Sequence, residues 1–210
     1  MKISYAITVC NELIEIQKLI PVLLQHKRKQ DEIVILYDQK NGNEEVVNYL
    51  RRFSKLPNVQ FWRGLDFNGH FADWKNILTS YCNGDYIFQI DADEIPNETL
   101  LNNLPSILEN NLENEVYLVP RVNTVEGLTQ EHINKWGWNV NDKGWVNFPD
   151  YQWRVWKNLP EIKWKNKVHE VLDGFKTYSA LPLDKGLALY HPKTIDKQEK
   201  QNSYYESISN

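Results

Sequence analysis

The chain has 210 residues, 41% hydrophobic and 25% charged, which excludes a disordered or fibrous protein and suffices for one ordinary domain with a core of its own. A formal net charge of -4 excludes a protein built to wrap nucleic acid, because phosphate binding needs a clustered excess of Lys and Arg. Two cysteines, Cys10 and Cys82, do not make a disulfide scaffold, and no run is long and apolar enough for a signal-peptide core or a membrane span, so a cytoplasmic protein, at most peripheral at a membrane, is expected.

Ile3 to Val9 is a continuous apolar run with β-branched residues, the pattern of a strand buried on both faces of a parallel sheet. Leu13, Ile16, Ile20, Leu23 and Leu24 recur at helical spacing, with Pro21 expected to kink or divide that helix. A short β-like run at Glu32 to Tyr37, a helical one at Glu44 to Phe53 and a third strand at Val59 to Trp62 complete a βαβαβ order. Phe71, Trp74, Ile77, Leu78 and Tyr81 mark a further helix, and the strand Tyr86 to Ile90 follows a turn at Asn83 and Gly84. Asn97 reads as the cap of a helix running to about Asn110, before a strand at Val116 to Pro120.

Beyond Arg121 the chain becomes loop-rich and carries Trp136, Trp138, Trp145, Trp153, Trp156 and Trp164, with Gln152 to Trp156 alternating like a strand. A polar tail, a surface helix or a frayed end, runs from Ile195 to Asn210. The expected organisation is a single domain over 1–210, whole or part of a longer polypeptide: a doubly wound half at 1–121, a Trp-rich half at 122–194, and the tail at 195–210.

Asp91, Asp93 and Glu94 stand at the end of the strand YIFQI, and three carboxylates in four residues require a positive partner if buried. Alternation puts Asp91 and Asp93 on one side, able to address one divalent cation, and sends Glu94 elsewhere. Ligands of open α/β sheets bind beyond the carboxyl ends of the strands, where this cluster falls. The alternative is a solvated acidic turn before a helix.

The segment NGDYIFQIDADE resembles the signature of family 2 glycosyltransferases with the GT-A fold, a Rossmann-like α/β fold whose mostly parallel central sheet is flanked by helices. The first strand running into TVCNE, the second running into Asp38, and Lys75 one helix before the D-x-D follow the same order. FPDYQWRVWK, KVHE and LALYHPK further resemble the subgroup that includes lipopolysaccharide-core glucosyltransferases. The resemblance implies a metal-dependent, inverting transfer of a hexose from a nucleotide-sugar, a UDP-sugar first, to a glycan or glycoconjugate. Thr8, Cys10 and Asn11 would then line the base pocket with Glu12 close by, and Asp38 would hold base or ribose. Asp91 would contact the ribose, or the metal through water, Asp93 would ligate the metal, and Lys75 would approach the pyrophosphate. Lys75 as a solvated helix charge and Cys10 as a small buried hydrophobe are the competing readings.

Oxygen ligands suit Mg²⁺ or Mn²⁺, and an added imidazole, for which His191 at the end of GLALY is the candidate, favours Mn²⁺. Transfer with inversion also needs a base for the acceptor hydroxyl. Asp150, expected at a loop rim, is the first candidate and Glu170 the second, with His169 either a ligand or an orienting group. Trp136, Trp138 and Trp145 are expected at an acceptor cleft, the other tryptophans in a second core. Two rival functions use similar parts: nucleotidyl transfer, which wants a glycine-rich basic loop where this chain has CNELIE, and an inactive carbohydrate-binding module.

Overall fold

The central strands are buried on both faces in the structure, a computed structural model that describes residues 1–65 and 67–209, with side chains described to residue 207. Asn210, the end of the expected tail, lies outside the described residues. The order begins β1 (Ile3–Val9), α1 (Leu13–His26), β2 (Glu32–Asp38), α2 (Glu44–Arg51), β3 (Val59–Gly64), α3 (Phe71–Ser80), β4 (Tyr86–Asp91), β5 (Ile95–Pro96) and α4 (Glu98–Glu109). It continues with β6 (Val116–Glu126), α5 (Gln130–Trp136), β7 (Val146–Lys157), β8 (Lys163–Lys165), β9 (Val171–Asp173), β10 (Tyr178–Ala180), β11 (Leu189–Thr194) and α6 (Ile195–Ser209). Among the described residues no helix is long and apolar enough to cross a membrane.

Ile3, Tyr5, Ile7 and Val9 of β1 pack with α1, α2 and α4, while Ala6 belongs to a second core with Val34, Leu36, α3, Trp156 and Trp164. The sheet order is β3-β2-β1-β4-β7-β6-β11-β5, and β10 pairs with the first part of β6. β3, β2, β1 and β4 are parallel, whereas β7 runs antiparallel between β4 and β6. This is the expected α/β fold: a mostly parallel sheet flanked by helices.

Three local expectations change. Pro21 does not divide α1, because it sits exposed, where the carbonyl it leaves unpaired meets water. The strand expected to stop at Pro120 runs on to Glu126. Its neighbour on one side changes from β10, ending at Leu118, to β11, starting at Arg121, so Pro120 falls where neither strand claims an N–H. β6 thereby crosses residue 121, and the stretches before and after it share one sheet. Asp150 lies inside β7, opposite Arg121, and not in a rim loop.

Candidate active site

Parallel pairing brings the ends of β1, β2 and β4 to one edge: Val9 lies beside Tyr37, and Thr8 beside Asp91. A cleft of about 920 Å³ opens there, bordered by Thr8, Cys10, Asn11, Glu12, Asp38, Lys75, Asp91, Asp93, Glu170 and His191. These are ten of the eleven site residues read from the sequence. The eleventh, Asp150, borders a neighbouring cavity of about 270 Å³ that shares Arg121, Trp138, His191 and Lys193 with the larger one.

The positive partner required by the acidic cluster comes from the chain itself. Glu94 is fully buried, and its Oε1 accepts from Arg154 at 2.6 Å and Arg121 at 2.9 Å. Its other oxygen accepts the Asp91 N–H at 3.2 Å, which folds the cluster back on itself. Asp91 pairs with Arg154 at 2.6 Å and Lys75 at 3.2 Å; burial opposes its charge, but Arg154 and Lys75 prevail and hold its carboxyl well below the usual range. Asp93 meets His191 Nε2 and Lys197 Nζ, each at 3.3 Å. Burial again opposes charge there, and the His191 hydrogen bond, with Lys197 and Lys193, drives the carboxyl far down.

Among the described residues no group of three or more His, Cys, Asp or Glu is arranged to hold a metal. Asp93 and His191 nevertheless form a fitting pair for an ion delivered with a diphosphate, since Mg²⁺-type sites use one or two protein ligands and complete the shell from phosphate and water. The hydrogen bonds around His191 set its tautomer. Asn123 Nδ2 donates to the Asp150 carboxylate at 2.7 Å, so its Oδ1 faces His191 Nδ1 at 2.8 Å and accepts a proton from it. With Nδ1–H held there, the 3.3 Å contact of Nε2 with Asp93 is a hydrogen bond when Nε2 also carries a proton, and loss of that proton leaves an Nε2 lone pair for a metal ion, as in an imidazole whose other nitrogen is held by an acceptor. His191 sits within β11, buried, and not at a strand end.

On the β1 and β2 side, the Glu12 carboxylate accepts the N–H groups of Cys10 at 2.8 Å and Asn11 at 3.1 Å, and burial keeps its proton affinity above the usual carboxylate range. The Cys10 thiol, 3.9 Å from Asp38, is pushed up to about 12 by burial with Glu12 and Asp38 adding to it, so it stays an un-ionised group. Asp38 is buried and accepts from the Asn41 side chain at 2.7 Å and from the N–H groups of Lys40 and Asn41. Lys75 is no solvated helix charge: it is buried, bridges Asp91 and Glu170 at 3.2 Å each, and lies 4.8 Å over the Trp164 ring. His169 borders the cleft with a left-handed backbone, φ 55°, and its ring lies 5.9 Å from Tyr205.

Asp150 is held by Arg121 at 2.7 Å, Asn123 and Gln152. These partners outweigh burial and lower its proton affinity, so it is ionised at neutral pH. Of the tryptophans, Trp138 borders both cavities and packs on Trp136 at 4.6 Å, whereas Trp145 packs on Phe148 and borders neither. Trp153 and Trp164 border the larger cleft. Arg121, Arg154, Lys193 and Lys197 border the cleft but are not among the site residues read from the sequence. For Arg154 the local pattern gives no signal: the register of β7 shifts between Trp153 and Val155, so Trp153 and Trp156 join one core, Val155 the other, and strict alternation fails at Arg154.

A comparison with curated proteins finds no match. Among solved structures, S. aureus TarS 1–349 in complex with UDP-GlcNAc is similar at 15% identity and TM-score 0.65, covering 92% of this chain and 59% of that one. Its UDP complex gives 13%, 0.64, 91% and 60%, and TarS solved as a longer chain gives 13%, 0.64, 91% and 37%. The chain thus spans about three-fifths of the TarS 1–349 chains it matches, and the likeness establishes the fold. The family profile described as Glycosyl transferase family 2 matches residues 4–187, and the chain belongs to that family.

Proposed function

We propose that this domain transfers a hexose, with inversion, from a nucleoside-diphosphate sugar, a UDP-sugar first, to a hydroxyl of a glycan or glycoconjugate. The observation that carries the reading is the cleft at the ends of β1, β2 and β4, where Asp93, His191, Asp91 and Lys75 crowd around one opening. Breaking a sugar–phosphate bond leaves negative charge on the diphosphate while the sugar becomes oxocarbenium-like, so fixed positive charge at the leaving group speeds the reaction. Asp93 and His191 would hold Mn²⁺ or Mg²⁺, which supplies part of that charge when bound. Lys75 is placed to add to it, and Thr8, Cys10, Asn11, Glu12 and Asp38 to receive the nucleoside. The TarS complexes with UDP-GlcNAc and UDP support a uridine nucleotide, and the likeness to lipopolysaccharide-core glucosyltransferases supports a hexosyl donor.

Asp150 serves as the base for the acceptor hydroxyl, ionised and fixed beside Trp138, an indole suited to an acceptor ring. Glu170 is the second reading, favoured by its place on the larger cleft, which Asp150 does not border. Family membership weighs against nucleotidyl transfer. A thermal-shift panel of nucleotide-sugars with Mn²⁺ and Mg²⁺ tests the function, since a ligand that binds the native state raises its melting temperature. Stabilisation by a UDP-sugar with metal is expected, with UDP released on incubation. A panel without any shift, and no nucleotide released, refutes the reading.

A further inference from the structure

α6 has the composition of a solvent helix, yet it stands over the cleft, and Lys197, Gln198, Gln201 and Tyr205 border it. Lys197 is its tie to the acidic cluster. Its ammonium lies 3.3 Å from Asp93 Oδ2 and 2.8 Å from Glu15 Oε1 in the first turn of α1. The oxygen it touches is the one that faces His191 Nε2. A cation of this chain therefore sits on the carboxylate oxygen nearest His191, the one an ion shared by Asp93 and His191 would take, and a divalent ion there would face an ammonium within about 4 Å, a repulsion large at any interior dielectric. Glu15 gives the displaced ammonium a partner of its own, so release from Asp93 does not strand the charge.

We propose that Lys197 is a built-in counter-ion of Asp93, which a divalent ion displaces and which then turns to the donor's diphosphate. The proposal rests on the donor reading above for its second half only. Binding of the ion and docking of Lys197 oppose each other, and by linkage each weakens the other by the same factor. Once a donor arrives, its diphosphate brings the anion that the displaced ammonium has lost, so ion and Lys197 then act on the leaving group together. α6 is thereby loosened by the ion alone and drawn back by ion and donor together.

The test is calorimetric titration of Mn²⁺ alone into the full chain and into Lys197→Met, which keeps the aliphatic stem and removes the charge. Lys200→Met is the control: Lys200 is exposed, on the same helix, and changes the net charge equally. Lys197→Met is expected to bind Mn²⁺ more tightly, by roughly tenfold within the 5- to 150-fold range usual for such couplings, and Lys200→Met by much less. Equal tightening in both variants, an unchanged Mn²⁺ affinity in Lys197→Met, or no Mn²⁺ binding in parent and variant alike overturns the proposal. With Mn²⁺ saturating, Lys197→Met should bind UDP more weakly than the parent, and equal UDP affinity removes the transfer of the ammonium to the diphosphate. If no protein binds UDP at all, the donor reading fails, while the Mn²⁺ comparison still decides the competition at Asp93.

Discussion

The two ends of the parallel sheet both bury carboxylates, and they satisfy them in opposite ways. At the amino end, Asp31 is fully buried and accepts from the Ile3 N–H and the Arg28 N–H, Nε and Nη2. Beside it Glu32 accepts from Lys2 Nζ, Ser4 Oγ and the Asn83 N–H, each at 2.6 Å. Most of these donors are backbone groups or neighbours in the chain, and they border neither of the two cavities described above. At the carboxyl end, Asp91, Asp93 and Glu94 are matched by long cationic side chains from β6, β7, α3 and α6 that also border an open cleft. Backbone donors make a carboxylate part of the frame, whereas mobile cations can change partners when a ligand brings charge of its own. The first end should therefore answer mutation with stability and the second with function.

The largest effect belongs to the second end. Asp93→Ala should abolish metal-dependent nucleotide binding and lower transfer by roughly 10³-fold or more, since the metal's contribution to charge stabilisation is several kcal/mol. The variant should stay folded with a smaller loss of stability than at the amino end, because a carboxyl held down by His191 and Lys197 stabilises the native state at neutral pH while Lys197 keeps Glu15 as a partner. A folded variant with parental Mn²⁺-dependent affinity for UDP would break the comparison at its centre. Next, Asp150→Asn should slow transfer by roughly 10²- to 10⁴-fold, the loss of a general base, with donor affinity nearly unchanged. Glu170→Gln is the paired variant: parental turnover in Asp150→Asn together with a slow Glu170→Gln moves the base to Glu170, and parental turnover in both removes both.

How much of this contrast was legible in the sequence follows from the range of the contacts. Ile3 to Val9 reads as a strand buried on both faces, Glu32 to Tyr37 and Tyr86 to Ile90 as short apolar strands, and an acidic cluster just after such a run falls on the ligand side. The same logic separates Asp31 and Glu32, at the start of their strand, from Asp91 and Asp93, at the end of theirs. What remained hidden depends on partners distant in sequence. Arg154 reaches Glu94 across 60 residues and Lys197 reaches Glu15 across 182, and no local period signals either contact. α6 was legible as a helix former but not as a wall of the cleft, because its polar composition gives no apolar stripe to show which face docks. Pro149 suggests a loop and hence a rim position for Asp150, yet pairing with β6 keeps that stretch in the strand.

At the amino end the expected cost is to stability. Asp31→Ala removes four hydrogen bonds, one of them from a backbone N–H that opens β1, and leaves Arg28 without its main anion. Breaking a buried, hydrogen-bonded charge pair from one side costs about 3–5 kcal/mol, so chemical denaturation should show a loss of that order. UDP affinity of the folded fraction should be that of the parent. A variant that keeps its stability but loses affinity would place function at both ends and erase the contrast.

The smallest effect is also the most specific, because it is written in pH. Burial opposes the charge on Glu32, but Lys2, Ser4 and the Asn83 N–H outweigh it and lower its carboxyl below the usual range. A group whose folded proton affinity is depressed stabilises the native state above its unfolded pKa, and that contribution is lost as pH falls through the lowered folded value. Glu32→Gln retains much of the shape but not the charge, so at neutral pH it should be less stable than the parent by about 1 kcal/mol, as for a partly exposed Lys–Glu pair with three further hydrogen bonds, from Ser4, Asn83 and Gln60. Lys2 is itself about one-third exposed, which keeps the figure small. As the pH is lowered past the ordinary carboxylate range the parent loses this advantage and the two denaturation midpoints should converge, whereas at higher pH the gap should stay constant. A gap that persists unchanged through acid would mean that Glu32 stabilises the strand ends by packing and hydrogen bonding alone, with its charge contributing nothing.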